Sequence, residues 1–163
     1  LSPEYAQEVI DISKSYGIPG IRLGILATSN RSIINRIKKQ LPIWNINSYA
    51  EFFMQIIDKY KTGYQSARRR FIKEREYLYQ ELSKIIYLRV IPSKANYFLC
   101  EVRSRYLSKE LTKTLLADYN IFIKDCSDKK GLKGKQYIRI AIKNRCDNDK
   151  LLTALNTLDD DNK

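Results

Sequence analysis

Apolar residues recur along this chain in two distinct rhythms, and the rhythm changes mark out the elements. Glu8-Val9-Ile10-Asp11-Ile12 alternates polar and apolar like a brief strand. Ser13 to Gly20 is punctuated by Gly17, Pro19 and Gly20 and predicts a loop, followed by a mostly apolar strand over Ile21–Ala27. Ser29 or Asn30 can cap a short helix over 31–39, whose basic end suits the helix dipole and which Pro42 stops. Ser48 is an N-cap candidate for the next helix. There Phe52, Phe53, Ile56, Ile57 and Tyr60 form a stripe that calls for burial, and Gly63 is expected to end or break the helix. A longer helix follows over about 64–84, with Ala67, Phe71, Leu78, Leu82 and Ile85 on one side.

The remainder predicts a compact α/β module. Ile86–Ile91 and Tyr97–Val102 are strand candidates, Ser108 caps a helix carrying Leu111 and Leu115, and Tyr119–Lys124 has the pattern of a short strand. Asp125–Lys135 is a polar loop. In Tyr137–Ile142, Arg139 faces one way while Ile138, Ile140 and Ile142 face the other. Asp147 or Asn148 begins a final helix through Leu158, and the tail 159–163 is expected to fray.

Composition removes whole classes of chemistry. The 163 residues contain no histidine, which excludes nucleophile–histidine arrangements and histidine-containing metal sites within the chain. Cys100, Cys126 and Cys146 are odd in number and widely spaced, as expected of reduced packing residues, and no metal site is expected. No apolar run approaches the roughly 18 residues of a membrane span, and Leu1-Ser2-Pro3-Glu4 is unlike a secretory leader. A cytoplasmic location without membrane contact is the expectation. With 30 Lys+Arg against 18 Asp+Glu the net charge is +12. The run Arg68-Arg69-Arg70 therefore raises a basic nucleic-acid-binding module as an alternative, although a basic run on a helix is more often a solvated face.

The segment 13–22 carries the most chemistry. It offers the Lys14 amine with the Ser13 hydroxyl before it, two turn-forming glycines and, eight positions on, Arg22. A guanidinium can fork two N–H groups onto a phosphate. A lysine near other positive charge becomes a usable amine nucleophile. Taken alone, this is an anion-binding loop with a spare lysine.

Ser13-Lys14-Ser15-Tyr16-Gly17-Ile18-Pro19-Gly20-Ile21-Arg22-Leu23-Gly24 resembles the S-K-x-x-G-x-P-G-x-R-x-G signature of class I/II, fold type I aminotransferases. The resemblance is strongest to the group of histidinol-phosphate aminotransferase and threonine-phosphate decarboxylase. It runs from about Asp11 to Leu155 and takes in Leu41–Ser48, Ser93–Leu99 and Tyr137–Ile140, weak motifs singly but in the family's order. It implies an α/β fold: the end of a large pyridoxal-phosphate-binding domain (1–47), long connecting helices (48–84) and a whole small C-terminal α/β domain (85–158).

By the same resemblance, Lys14 is the catalytic lysine that forms the aldimine with pyridoxal 5′-phosphate. Ser13 and Arg22 hold the cofactor phosphate, and Arg139 clamps the anionic group of the substrate. Trp44, Asn45 and Asn47 line or support the substrate side. The implied partners are a small-molecule amino donor, a 2-oxo acid acceptor and a second subunit of a homodimer. Other readings stay open. Arg22 could serve as a structural ion-pair partner, Arg139 could satisfy a buried carboxylate, Trp44 could be an interface or core residue, and Asn96 could cap a loop. The chain could also be a non-catalytic remnant of the fold.

Two departures stand out. Asp11 lies three residues before Lys14, where the family commonly has a phosphate-binding hydroxyl. A carboxylate beside a phosphate is unfavourable, so Asp11 is expected to point away. Family chains are also about twice as long, with the partner of the cofactor's pyridine nitrogen in the upstream half. This chain on its own is therefore expected to have little or no activity and to expose an apolar seam around Ile21–Ala27.

Overall fold

The computed structural model describes residues 7–103 and 106–160. The chain divides, part-way along one helix, into two compact units, 1–66 and 67–163.

In the first unit, β1 (Gln7–Asp11) pairs antiparallel with β2 (Gly24–Thr28), Asp11 standing opposite Gly24. The connection between them is not the uniform loop expected from its glycines. Ile12–Ser15 forms one helical turn, α1, and Pro19–Ile21 a 3₁₀ turn. Arg22 then adopts the left-handed conformation (φ 52°), which delays the strand to Gly24. Gly17 at φ +71° makes the reversal that a side chain would resist.

α2 (Arg31–Lys38) begins at Asn30 rather than Ser29, because the Asn30 Oδ1 accepts the N–H groups of Ser32 (3.0 Å) and Ile33 (3.3 Å). α3 (Ser48–Ile56) is capped by Asn47, not Ser48: the Asn47 Oδ1 accepts the Ala50 N–H at 2.9 Å. A 3₁₀ turn over Ile57–Tyr60 leads into α4 (Lys61–Leu82), which passes through Gly63 without a break. The expected burial of the α3 stripe also fails within this chain. Ala50 is the buried residue of α3, whereas Phe52 and Tyr60 are 59% and 66% exposed and Phe53, Ile56 and Ile57 are half-buried.

The second unit is built on a four-stranded antiparallel sheet in the order β3-β4-β6-β5. The strands are β3 (Leu88–Ile91), β4 (Tyr97–Val102), β5 (Lys124–Asp125) and β6 (Tyr137–Ala141). The helices α5 (Ser108–Tyr119) and α6 (Arg145–Asp160) complete it. Phe98, Cys100 and Val102 of β4 and Ile138 and Ile140 of β6 share a core with Leu78 and Leu82 of α4, Leu111 and Leu115 of α5, and Leu151, Leu152 and Leu155 of α6. Burial of such side chains stabilises by about 1.5–3 kcal/mol each, which is why the alternation in β4 and β6 was readable. The opposite face carries Tyr97, Leu99, Glu101, Arg139 and Ala141.

Three local expectations change here. Ser108 is the first residue of α5, not its cap; its side chain turns to Asp125 while its N–H donates to the Gln136 Oε1 at 2.7 Å. The strand expected over Tyr119–Lys124 shrinks to the two residues of β5, because the Ile121 N–H is taken by the Leu115 carbonyl behind α5. α6 starts two residues early because the Asn144 Oδ1 accepts the Asp147 N–H at 2.9 Å. Of the tail, residues 161–163 lie outside the described part.

Candidate active site

The strand pairing of the first unit is what brings the ends of the Lys14 segment together. Beyond the Asp11–Gly24 pair, the Ile12 N–H donates to the Leu23 carbonyl at 3.1 Å. Lys14 and Arg22, eight apart in sequence, thus stand two residues and one residue from the same backbone hydrogen bond. Ser13 and Lys14 belong to the α1 turn; their side chains, and that of Asp11, lie outside the described part of the structure.

Aromatic packing holds that turn in place. Tyr16 stacks on Tyr64 with ring centroids 4.4 Å apart and meets Phe53 edge-on at 5.6 Å. The Tyr64 hydroxyl donates to the Ser15 carbonyl at 3.0 Å. The neighbouring 3₁₀ turn is tied by Asn47, whose Nδ2 donates to the Ile21 carbonyl at 3.0 Å while its Oδ1 caps α3. Both ends of the Asn47 amide are therefore engaged, in support of the residue next to Arg22.

Arg22 is exposed and forms no hydrogen bond or ion pair among the described residues. A left-handed backbone costs a non-glycine residue about 1–2 kcal/mol, and such strain concentrates at ligand clamps. An unpaired guanidinium held in strained backbone beside a tethered carbonyl suits a phosphate group. Trp44, 90% exposed, and Asn45, also exposed, lie on the segment before α3, so Trp44 is no core residue of this chain. Ile25 is 48% exposed on β2.

Arg139 belongs to the second unit, on the open face of the sheet. It pairs no carboxylate among the described residues; its guanidinium lies over the Tyr97 ring, 5.2 Å from the centroid. Lys124 on β5 stands directly opposite Arg139. Like charges across a strand pair repel, yet neither residue has an acidic partner among the described residues. Sequence analysis placed Lys124 at the end of a strand candidate without a role, because its position opposite Arg139 is set by the β5–β6 register.

The position of Lys124 is secured by its neighbour. The Asp125 carboxylate accepts the hydroxyls of Ser108 and Ser127 (2.7 Å each) and the Ser127 N–H (3.2 Å). Burial works against its charge, but these donors outweigh it and hold the carboxyl below its ordinary range. Asn96, the loop-cap candidate, has its carbonyl bonded by the Ile142 N–H at 3.0 Å.

The family described as aminotransferase class I and II matches residues 12–158. The chain belongs to that family. Its members depend on pyridoxal phosphate. Among its relatives, the chain is 32% identical to an L-serine phosphate decarboxylase of Campylobacter jejuni, covering 88% of this chain and 37% of the relative. It is 31% identical to a threonine-phosphate decarboxylase of Salmonella typhimurium, with 88% and 38% covered. Its fold matches the crystal structure of the histidinol-phosphate aminotransferase of Clostridium acetobutylicum with a TM-score of 0.80 at 31% identity, over 94% of this chain and 45% of that one.

The α/β fold and the histidinol-phosphate aminotransferase-like grouping expected from the Lys14 motif are thus established. The chain spans well under half the length of the curated relatives it matches, 23% to 40% of three of them. The nucleic-acid reading of Arg68–Arg70, three exposed residues of α4, finds no support in these comparisons. No helix among the described residues is long and apolar enough to cross a membrane.

Proposed function

We propose that this chain supplies the lysine-bearing segment and the small domain of a pyridoxal-phosphate enzyme. The enzyme would transfer the amino group of an amino acid or phosphorylated amine to a 2-oxo acid. Residues 1–47 then complete the large domain, 48–84 connect, and 85–158 form the small domain, within a homodimer. The observation carrying this reading is the neck of the β1–β2 connection, where one backbone hydrogen bond sets the α1 turn of Lys14 beside Arg22.

Arg22 and the Ser13 hydroxyl hold the cofactor phosphate, with Asn47 steadying the backbone before Arg22. The Lys14 Nζ would hold the cofactor and would carry a proton to and from the substrate carbon bearing the amino group. When bound, the cofactor withdraws electrons from that carbon. Arg139, with Lys124 opposite, holds the anionic group of the substrate. Trp44 and Asn45 line the substrate side. A second reading, decarboxylation of a phosphorylated amino acid, is favoured by the two decarboxylase relatives. It uses the same lysine.

The test is borohydride reduction in the presence of pyridoxal 5′-phosphate on the longest natural protein containing this chain, followed by peptide mapping. Label is expected at Lys14 and abolished by Lys14→Ala; scattered label without preference for Lys14 overturns the assignment. Supplying O-phospho-L-serine with a 2-oxo acid and assaying released carbon dioxide against new amino acid separates the two reactions.

A further inference from the structure

We propose that Arg89 and Arg103 are positioning residues that keep Arg139 free by holding the Glu101 carboxylate away from it. The inference rests on the reading of Arg139 as the anion clamp. On the open sheet face, Glu101 stands opposite Tyr137 and Arg139 stands opposite Leu99, so Glu101 and Arg139 are diagonal neighbours across β4 and β6. Side chains of this length reach across such a diagonal. A carboxylate there is a built-in competitor for any anion that Arg139 is to bind.

The structure shows that competitor already engaged. The Arg89 Nε donates to the Glu101 Oε2 at 2.6 Å and the Arg103 Nε to the same oxygen at 3.3 Å. Arg89 stands opposite Glu101 in the same row of the sheet, its Nη2 also 3.5 Å from the Tyr137 hydroxyl, and Arg103 follows Glu101 two residues later, so both partners stand on the side of Glu101 away from the Leu99–Arg139 row. The same two guanidiniums hold the carboxyl below its ordinary range, so it stays a charged acceptor for them. Arg139 meanwhile lies over Tyr97, on the other side of Leu99 from Glu101. Two arginines for one carboxylate exceed what that carboxylate needs for partnering. The excess is explained if the task is to deny Glu101 to Arg139.

The test reads the freedom of the Arg139 guanidinium without needing the natural substrate. The longest natural protein containing this chain is treated with phenylglyoxal, and the modification rate at Arg139 is followed by peptide mapping against Arg68, an exposed internal reference. In the Arg89→Met/Arg103→Met variant, Glu101 is released to pair with Arg139, and modification of Arg139 slows about two- to fivefold, the range of an exposed ion pair. Adding Glu101→Gln restores the native rate, and Arg89→Lys/Arg103→Lys keeps it. An unchanged or faster rate in the double Met variant overturns the proposal, as does a slowed rate that Glu101→Gln fails to restore. Protection of Arg139 by O-phospho-L-serine is measured on the unaltered protein. Its absence would sink the anion-clamp reading while leaving the capture result intact, so the two failures are distinguishable.

Discussion

Replacing Asp125 with alanine is expected to loosen the edge of the sheet that presents Lys124 to Arg139. The carboxylate accepts three hydrogen bonds, two from hydroxyls at 2.7 Å and one from the Ser127 N–H at 3.2 Å. Ser108 is fully buried, but it is not orphaned by the change, because its Oγ also lies 3.0 Å from the Gln136 Oε1. Ser127 can turn to water. The full penalty of an unsatisfied buried group is therefore avoided. The loss reduces to the net value of bonds to a partly solvated charge, about 1–2 kcal/mol in all. β5 has only two paired residues, so the loss falls on local opening rather than on the whole domain. The reporter is the Cys126 amide, bonded to the Tyr137 carbonyl at 2.8 Å. At about 1.4 kcal/mol per decade, its hydrogen exchange is expected to speed up about five- to thirtyfold. The effect carries a pH signature. The folded carboxyl is depressed below its ordinary value of 3.8, so the stabilisation is present above that value and fades as pH falls through the folded one. Exchange at Cys126 that is unchanged near neutral pH, or a difference that grows on acidification, would refute the reasoning.

Leu155→Ala in α6 removes a fully buried side chain from the core of the second unit and is expected to cost about 2–5 kcal/mol, read as a lowered urea midpoint. A midpoint within error of the parent would contradict the packing described. Among the three thiols, Cys146 is exposed and should react promptly with a disulfide reagent at mild alkaline pH. Cys100, whose thiol burial pushes up to about 12, should stay unlabelled until the protein unfolds.

Much of the fold was legible because its causes are local. The burial alternation of β4 and β6, the leucines of α5 and the amide cap of α2 all act within a few residues, where periodicity and capping chemistry operate. The order of Lys14, Gly17, Pro19, Gly20 and Arg22 was legible through its resemblance to the family motif, and of these only Gly17 is demanded by a glycine-type backbone, at φ +71°. Other features escaped because a distant residue decides them. Asn47 outcompetes Ser48 as a cap while also reaching the Ile21 carbonyl 26 residues back, and Ser108 is drawn from its own helix end to Asp125. The α3 stripe announced a need for burial that this chain does not meet. Sequence alone determined which residues carry charge and which faces are apolar. Tertiary structure decided which cations meet carboxylates. Strand register placed Lys124 opposite Arg139 and gave Glu101 to Arg89, and register is fixed by hydrogen bonds between segments whose spacing along the chain carries no trace of the pairing.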